Sequence, residues 1–201
     1  MNRNDILTTA LTNNANIDRL TDTVWTGGDL PADRERAIER ILQWHDLGIR
    51  RIIDCRIEWN DRDLVAATAP EIEYFHFGVD DAGQQMPGEW FDRVTGAANS
   101  PEHIDLPVLV HCHMGINRGP SGAFAVLLSR GIDPIEAISM IRDSRPIAAV
   151  SYAEDALAWW HDTNGTSPTD QADDFARLAM WRAANHHDTA RIIRQIRAGS
   201  N

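Results

Sequence analysis

Leu106-Pro-Val-Leu-Val110 is an almost unbroken apolar run, His111-Cys-His-Met-Gly-Ile-Asn-Arg118 follows at once, and Pro120–Arg130 is apolar enough to be a buried helix ending at Gly131. A strand apolar on both faces belongs inside a parallel sheet covered by helices, and a helix apolar all round belongs beneath further layers. The connection between them must then lie at the carboxyl edge of the sheet, where open α/β folds hold their ligands.

The rest of the chain repeats this alternation. Thr23-Val-Trp-Thr26 reads as a short strand ended by Gly27-Gly28, and Pro31–Leu47 carries a helical stripe at Ala37, Ile38, Ile41, Leu42 and Trp44, stopped by Gly48. Strands are predicted over Ile49–Cys55 and Ile72–Val79, with a helix over Asp61–Ala69 between them and another over Glu89–Ala98. Asp133-Pro-Ile-Glu136 and Ser151-Tyr-Ala-Glu154 each have the form of a capping box opening a helix. After the linker-like Asn164–Thr169, Gln171–Arg197 predicts one or two helices richer in bases than in acids. The expected fold is α/β, a central mostly parallel sheet flanked by helices, with a helical C-terminal tail. Residues 1–16 read as a loosely docked lead-in, 17–162 as the main domain, and 163–201 as linker and extension.

Composition narrows the chemistry. All 19 bases are arginine, which excludes lysine Schiff-base chemistry and the lysine of a P-loop NTPase. A net charge of −11 with no block of bases argues against broad nucleic-acid binding. No apolar run is long enough for a membrane span and the first residues lack a signal-peptide plan, so no membrane association and a cytoplasmic location are expected. Two cysteines, Cys55 and Cys112, are too few for a disulfide scaffold.

Cys112 and Arg118 bracket a short loop containing Gly115 at the start of a helix. Such a loop can aim several backbone N–H groups at an anion, the helix dipole adds positive potential, and an arginine at its end can clamp two oxygens. The same field favours the thiolate of Cys112, a nucleophile placed for in-line attack on a bound phosphate. His111-Cys112-His113 could also be read as metal ligands, but three adjacent side chains rarely converge on one ion and no spaced partner follows, so neither metal nor cofactor is expected.

His-Cys-x2-Gly-x2-Arg after a valine-rich strand resembles the signature loop of the Cys-dependent protein tyrosine phosphatases, nearest to the dual-specificity branch. The resemblance runs from about Val24 to Trp160, through Trp25-Thr-Gly-Gly-Asp-Leu30, Leu47-Gly-Ile-Arg-Arg-Ile-Ile-Asp54 and Ile141-Arg-x-x-Arg-Pro146. It implies hydrolysis of a phosphorylated protein or small phosphomonoester through a cysteinyl-phosphate. His113, Met114, Gly115, Ile116, Asn117 and Arg118 would hold the phosphate, with His111 orienting the loop or tuning Cys112. It also implies an acid about thirty residues before the cysteine, and Asp81, 31 residues before Cys112 and 10 before Phe91, fits better than the alternate Asp80. The two aspartates also suit an ordinary turn.

The chain departs from the family at Gly119, where Ser or Thr usually follows the arginine and steadies the leaving sulfur. Ser121 is the nearest substitute, and slow breakdown of the intermediate is the expected consequence. Some relatives pair a second cysteine with the nucleophile, which makes Cys55 a candidate redox partner as well as a candidate core residue. Trp59, among polar residues, is a candidate pocket wall. A phosphate-binding module without turnover is the second reading, and a sulfur or arsenate transfer enzyme the third.

Overall fold

The computed structural model describes residues 15–199. Five strands, β1 (Ile17–Arg19), β2 (Val24–Gly27), β3 (Arg51–Arg56), β4 (Glu73–Val79) and β5 (Val108–His111), form one sheet in the order β1-β2-β5-β3-β4. All neighbours are parallel except β1 and β2, which pair antiparallel. Eight helices flank it among the described residues: α1 (Arg34–Asp46), α2 (Arg62–Thr68), α3 (Gly88–Ala98), α4 (Arg118–Ser129), α5 (Pro134–Ser144), α6 (Ala153–Asn164), α7 (Pro168–Ala184) and α8 (Thr189–Gly199).

The pleat sends alternate residues of the central strands to opposite faces. Ile53, Cys55, Val108 and Val110 join a core with Phe91 of α3, Phe124 of α4 and Ile138 of α5. Ile52, Tyr74 and Leu109 join the other, beneath Ile41 and Trp44 of α1 and Val65 of α2. Helix α4 lies against the first face with every residue from Arg118 to Leu128 buried, as its all-round apolar sequence requires. The tail packs onto the same body, since Leu178 of α7 is fully buried in the first core.

Three details differ from the sequence reading. Strand β1 went unread because three residues carry too little pattern; its partner β2 follows through a tight turn in which Leu20 and Thr21 both donate to the Val24 carbonyl. Helix α4 begins at Arg118, two residues before Pro120, so the arginine belongs to its first turn. The Ser151 capping box does not form. Tyr152 is the N-cap of α6 with no side-chain cap bond, and the Ser151 amide donates instead to Asn117 Oδ1 at 2.6 Å. The Asp133 box does form half of its pattern, with Oδ1 accepting from the Ile135 and Glu136 amides. Of the lead-in, residues 1–14 lie outside the described region; Ala15 accepts from Trp44 Nε1 and Asn16 bonds Asp29 and Arg145.

Candidate active site

The loop from Cys112 to Asn117 joins β5 to α4, and its carbonyls are held by the surrounding protein. His113 O accepts from the Asp29 amide at 2.9 Å, Met114 O and Gly115 O from Arg145 at 3.0 and 2.6 Å, Ile116 O from the Ala149 amide at 2.7 Å, and Asn117 O from the Ser121 amide at 2.8 Å. A trans peptide points its N–H opposite to its C=O, and the described chain contains no cis bond. The amides of residues 114 to 118 are therefore turned away from these anchored oxygens. Among the described residues, the N–H groups of His113, Met114, Gly115, Ile116 and Asn117 have no protein acceptor.

Two glycines make this turn possible. Gly115 sits at φ +65°, and a Cβ there would strike the Arg145 guanidinium. Gly119 has an ordinary helical place, but a Cβ would lie 2.9 Å from Cys112 N and from His111 C and Cα, closer than real side chains come to backbone. A side chain at 119 would require the helix start or the strand end to shift. Ser121 is fully buried and its Oγ accepts from the Tyr152 amide at 3.3 Å.

Cys112 is 2% exposed. Arg118, 3% exposed, donates from Nη1 and Nη2 to the two Glu58 oxygens at 2.8 Å each and from Nη1 to Val79 O at 2.9 Å. Its Nε is buried without a hydrogen-bond partner, 3.6 Å from Asp81 Oδ2. Burial works against the Arg118 charge, but the Glu58 bonds and neighbouring Cys112 and Asp81 outweigh it and raise the pKa. The same bonds from Arg118 hold the Glu58 carboxyl below its usual range.

Asp81 leans over the loop: Oδ1 accepts from Asn117 Nδ2 at 2.6 Å and from the Tyr152 hydroxyl at 2.9 Å. Burial and this bond push the Tyr152 pKa up to about 12, so it remains a donor. Asp80 is exposed, and its carbonyl, not its carboxylate, accepts from Gln84. The structure thus brings Asp81, not Asp80, into contact with Asn117 and Arg118.

His113 is exposed at the rim, with Nδ1 3.1 Å from Asp29 Oδ2 and its ring 5.2 Å from that of Trp59, which is 52% exposed. His111 is buried against Trp44 with both ring nitrogens unpartnered, 3.9 Å from Asp54, and burial lowers its pKa. Behind it, Arg56 is 2% exposed and surrounded by Asp29, Asp54 and Asp61, with the Tyr74 hydroxyl on Asp54. Asp54 of β3 is the register partner of His111 of β5; Cys55 follows Asp54 within β3, and Cys112 follows His111 just past the end of β5. Both are free and buried; burial first, then Cys112 and Asp54, raises the Cys55 pKa well above normal.

Glu58, Tyr152 and the Arg56 cluster are not site candidates in the sequence. Glu58 stands beside Trp59, the polar-flanked tryptophan after a strand. Arg145 lies in Ile141-Arg-x-x-Arg-Pro146, one of the motifs that carry the resemblance, but its bonds to the Met114 and Gly115 carbonyls join distant parts of the chain.

No family model matches the chain, and no curated protein matches its sequence. Solved structures do match. PTPMT1 in complex with PI(5)P is 18% identical over 75% of this chain and 97% of its own, with a TM-score of 0.59. Tk-PTP in its active form is 17% identical over 73% and 97%, also at 0.59, and human DUSP28 is 16% identical over 74% and 95%, again at 0.59. With its mostly parallel five-stranded sheet and a Cys-to-Arg loop between β5 and α4, the chain has the fold of the dual-specificity-like protein tyrosine phosphatases.

Proposed function

We propose that the protein is a metal-independent phosphomonoester hydrolase of the dual-specificity phosphatase type, acting in the cytoplasm through a cysteinyl-phosphate on Cys112. The observation that carries the reading is the run of amides from His113 to Asn117 without protein acceptors, beside the buried and unpartnered Nε of Arg118. Glu58 occupies one edge of the guanidinium, which leaves the Nε edge for two phosphate oxygens.

In the first step the Cys112 thiolate attacks phosphorus, the phosphorus–oxygen bond to the leaving group breaks, and Asp81 gives its proton to the departing oxygen. In the second, Asp81 takes a proton from water as the water oxygen attacks phosphorus, and the thiolate leaves with inorganic phosphate released. Asn117 and Tyr152 orient Asp81 through its Oδ1, and Arg118 and the loop amides hold the oxygens in both steps. Every proton in this sequence is carried by the chain's own groups or by water.

The test is hydrolysis of para-nitrophenyl phosphate in EDTA. Wild type should turn over, Cys112→Ser should abolish turnover, and Asp81→Asn should lower kcat by about 10²–10⁴-fold, whereas Asp80→Asn should not. Hydrolysis that survives Cys112→Ser overturns the mechanism. A second reading, a phosphate-binding module without turnover, is favoured by Gly119 and by the engagement of Ser121 with Tyr152; tungstate binding without hydrolysis of any phosphoester would select it.

Cys55 is proposed as a redox partner. Neighbouring strands lie about 4.8 Å apart, within the Cα window of about 4.4–6.8 Å for a disulfide. Peroxide would convert the Cys112 thiolate to a sulfenic acid; attack by the Cys55 sulfur then forms the disulfide and releases water. Mass spectrometry after mild peroxide should find a 55–112 linked peptide in wild type and Cys112 sulfinic acid in Cys55→Ser. Sulfinic acid without the linked peptide in wild type contradicts the pairing.

A further inference from the structure

The last two helices reach the phosphate loop from outside. Ile116 O accepts from the Ala149 amide at 2.7 Å and the Val150 amide at 3.4 Å. On the other side of those residues, Arg182 of α7 donates to Val150 O at 2.7 Å and Ala149 O at 3.4 Å, while Glu154 of α6 holds its guanidinium at 2.5 and 2.8 Å. The loop's apolar side chains, Met114 and Ile116, pack with Ile147 and Ala149 against Ile192, Ile193 and Ile196 of α8, and Ile192 is buried.

Val150 lies at φ +51°, in the left-handed region that β-branched residues rarely enter. Such a conformation persists only where its surroundings over-determine it, and strain of this kind clusters at functional sites. Here the determinants are Arg182 on the carbonyl and Ile116 O on the amide.

We infer that Arg182 and Ile192 are positioning residues of the phosphate site, forming with α7 and α8 a brace that keeps the Ile116 carbonyl turned outward and so the Asn117 amide turned toward the anion. Neither residue touches Cys112; Arg182 acts through Ala149 and Val150, and Ile192 through its packing with Ile147, Ala149 and the loop side chains Met114 and Ile116. The inference rests on the phosphate-binding reading of the loop, and it gives the C-terminal extension a role in that site.

The experiment compares full-length Arg182→Met, Ile192→Ala and Val65→Ala. Val65 is buried on α2 in the core of the opposite sheet face, on no element of the brace, so its variant reports general destabilisation. Hydrogen exchange at the Ala149 and Val150 amides and calorimetric affinity for tungstate are measured at a temperature where all variants are folded. Arg182→Met and Ile192→Ala should exchange at Ala149 about tenfold faster and bind tungstate about tenfold more weakly, with the loss in kcat/KM carried mainly by KM. Val65→Ala should lower the Tm and leave both readouts unchanged, and Arg182→Lys should recover part of the affinity. Should Ile192→Ala fail to fold, Ile192→Val gives a graded version of the same loss. Unchanged exchange and affinity in the Arg182 and Ile192 variants, or an equal loss in Val65→Ala, overturns the brace. If wild type binds no tungstate, the phosphatase reading fails, and the exchange rates alone decide whether the brace exists.

Discussion

At Gly119 the backbone of α4 comes within 2.9 Å, measured to where a Cβ would stand, of three backbone atoms of His111 and Cys112. Backbone cannot swing aside as a side chain can, so Gly119→Ala is expected to cost about 1–3 kcal/mol by overpacking and to weaken tungstate binding, read by urea denaturation and calorimetry. Equal stability and affinity would show that the helix can retreat. The departure from the family's Ser or Thr is therefore tied to close packing at the cradle floor, and Gly119→Ser is not a simple route to faster turnover. Cys112, Gly115 and Arg118 were legible because the loop is contiguous in sequence and its chemistry is local. Glu58 and Tyr152 were not, because each meets Arg118 or Asp81 only after the sheet has brought separate connections together.

At the scale of elements, apolar pattern and its Gly or Pro stops located α1 to α4 to within a few residues, and the Asp133 and Ser151 spacings located the starts of α5 and α6, which pack on α4. Local pattern failed where competing hydrogen bonds decide. Ser151 had the spacing of a cap, but Asn117 takes its amide, and so ties the start of α6 to the Cys112–Arg118 loop. The tail could be read as helices from composition, whereas its docking onto Met114 and Ile116 depends on tertiary contacts that no local pattern encodes. The turn between α7 and α8 carries His187, whose pKa is lowered to about 4 by burial and then by Arg142 of α5, opposed by the nearby Pro146 backbone and Asp188, with His186 adding to the lowering. An undocked His187 titrates near 6.5, so between pH 6.5 and 4 the undocked form binds more protons and docking weakens as pH falls, with no further loss from this group below 4. Hydrogen exchange across α8, corrected for intrinsic rates, should accelerate from pH 7 to pH 4.5 in wild type and much less in His187→Gln. The same acceleration in both would remove His187 as the cause.

For the molecule as a whole, the parallel arrangement of β2, β5, β3 and β4 determines what can meet at one edge. Asp29 after β2, the Cys112 loop after β5, Glu58 and Trp59 after β3, and Asp81 after β4 all leave carboxyl ends of parallel strands, the edge where such sheets assemble ligand sites. The alternation of strand and helix made this architecture readable, whereas Asp81 was singled out by what the family resemblance implies about its distance from Cys112. The antiparallel β1 and the bracing tail are additions outside that alternation, and they were the parts least visible in sequence. Among the described residues no helix is long and apolar enough to cross a membrane. The most direct test of the proposed cysteine mechanism is rapid acid quench of the protein mixed with a ³²P-labelled phosphopeptide, followed by peptide mapping. The expected result is label on the Cys112 peptide at close to one per active site, lost in Cys112→Ser and accumulating in the early burst because Gly119 offers no hydroxyl to the leaving sulfur. Turnover without labelled Cys112, or label on His113, would contradict it.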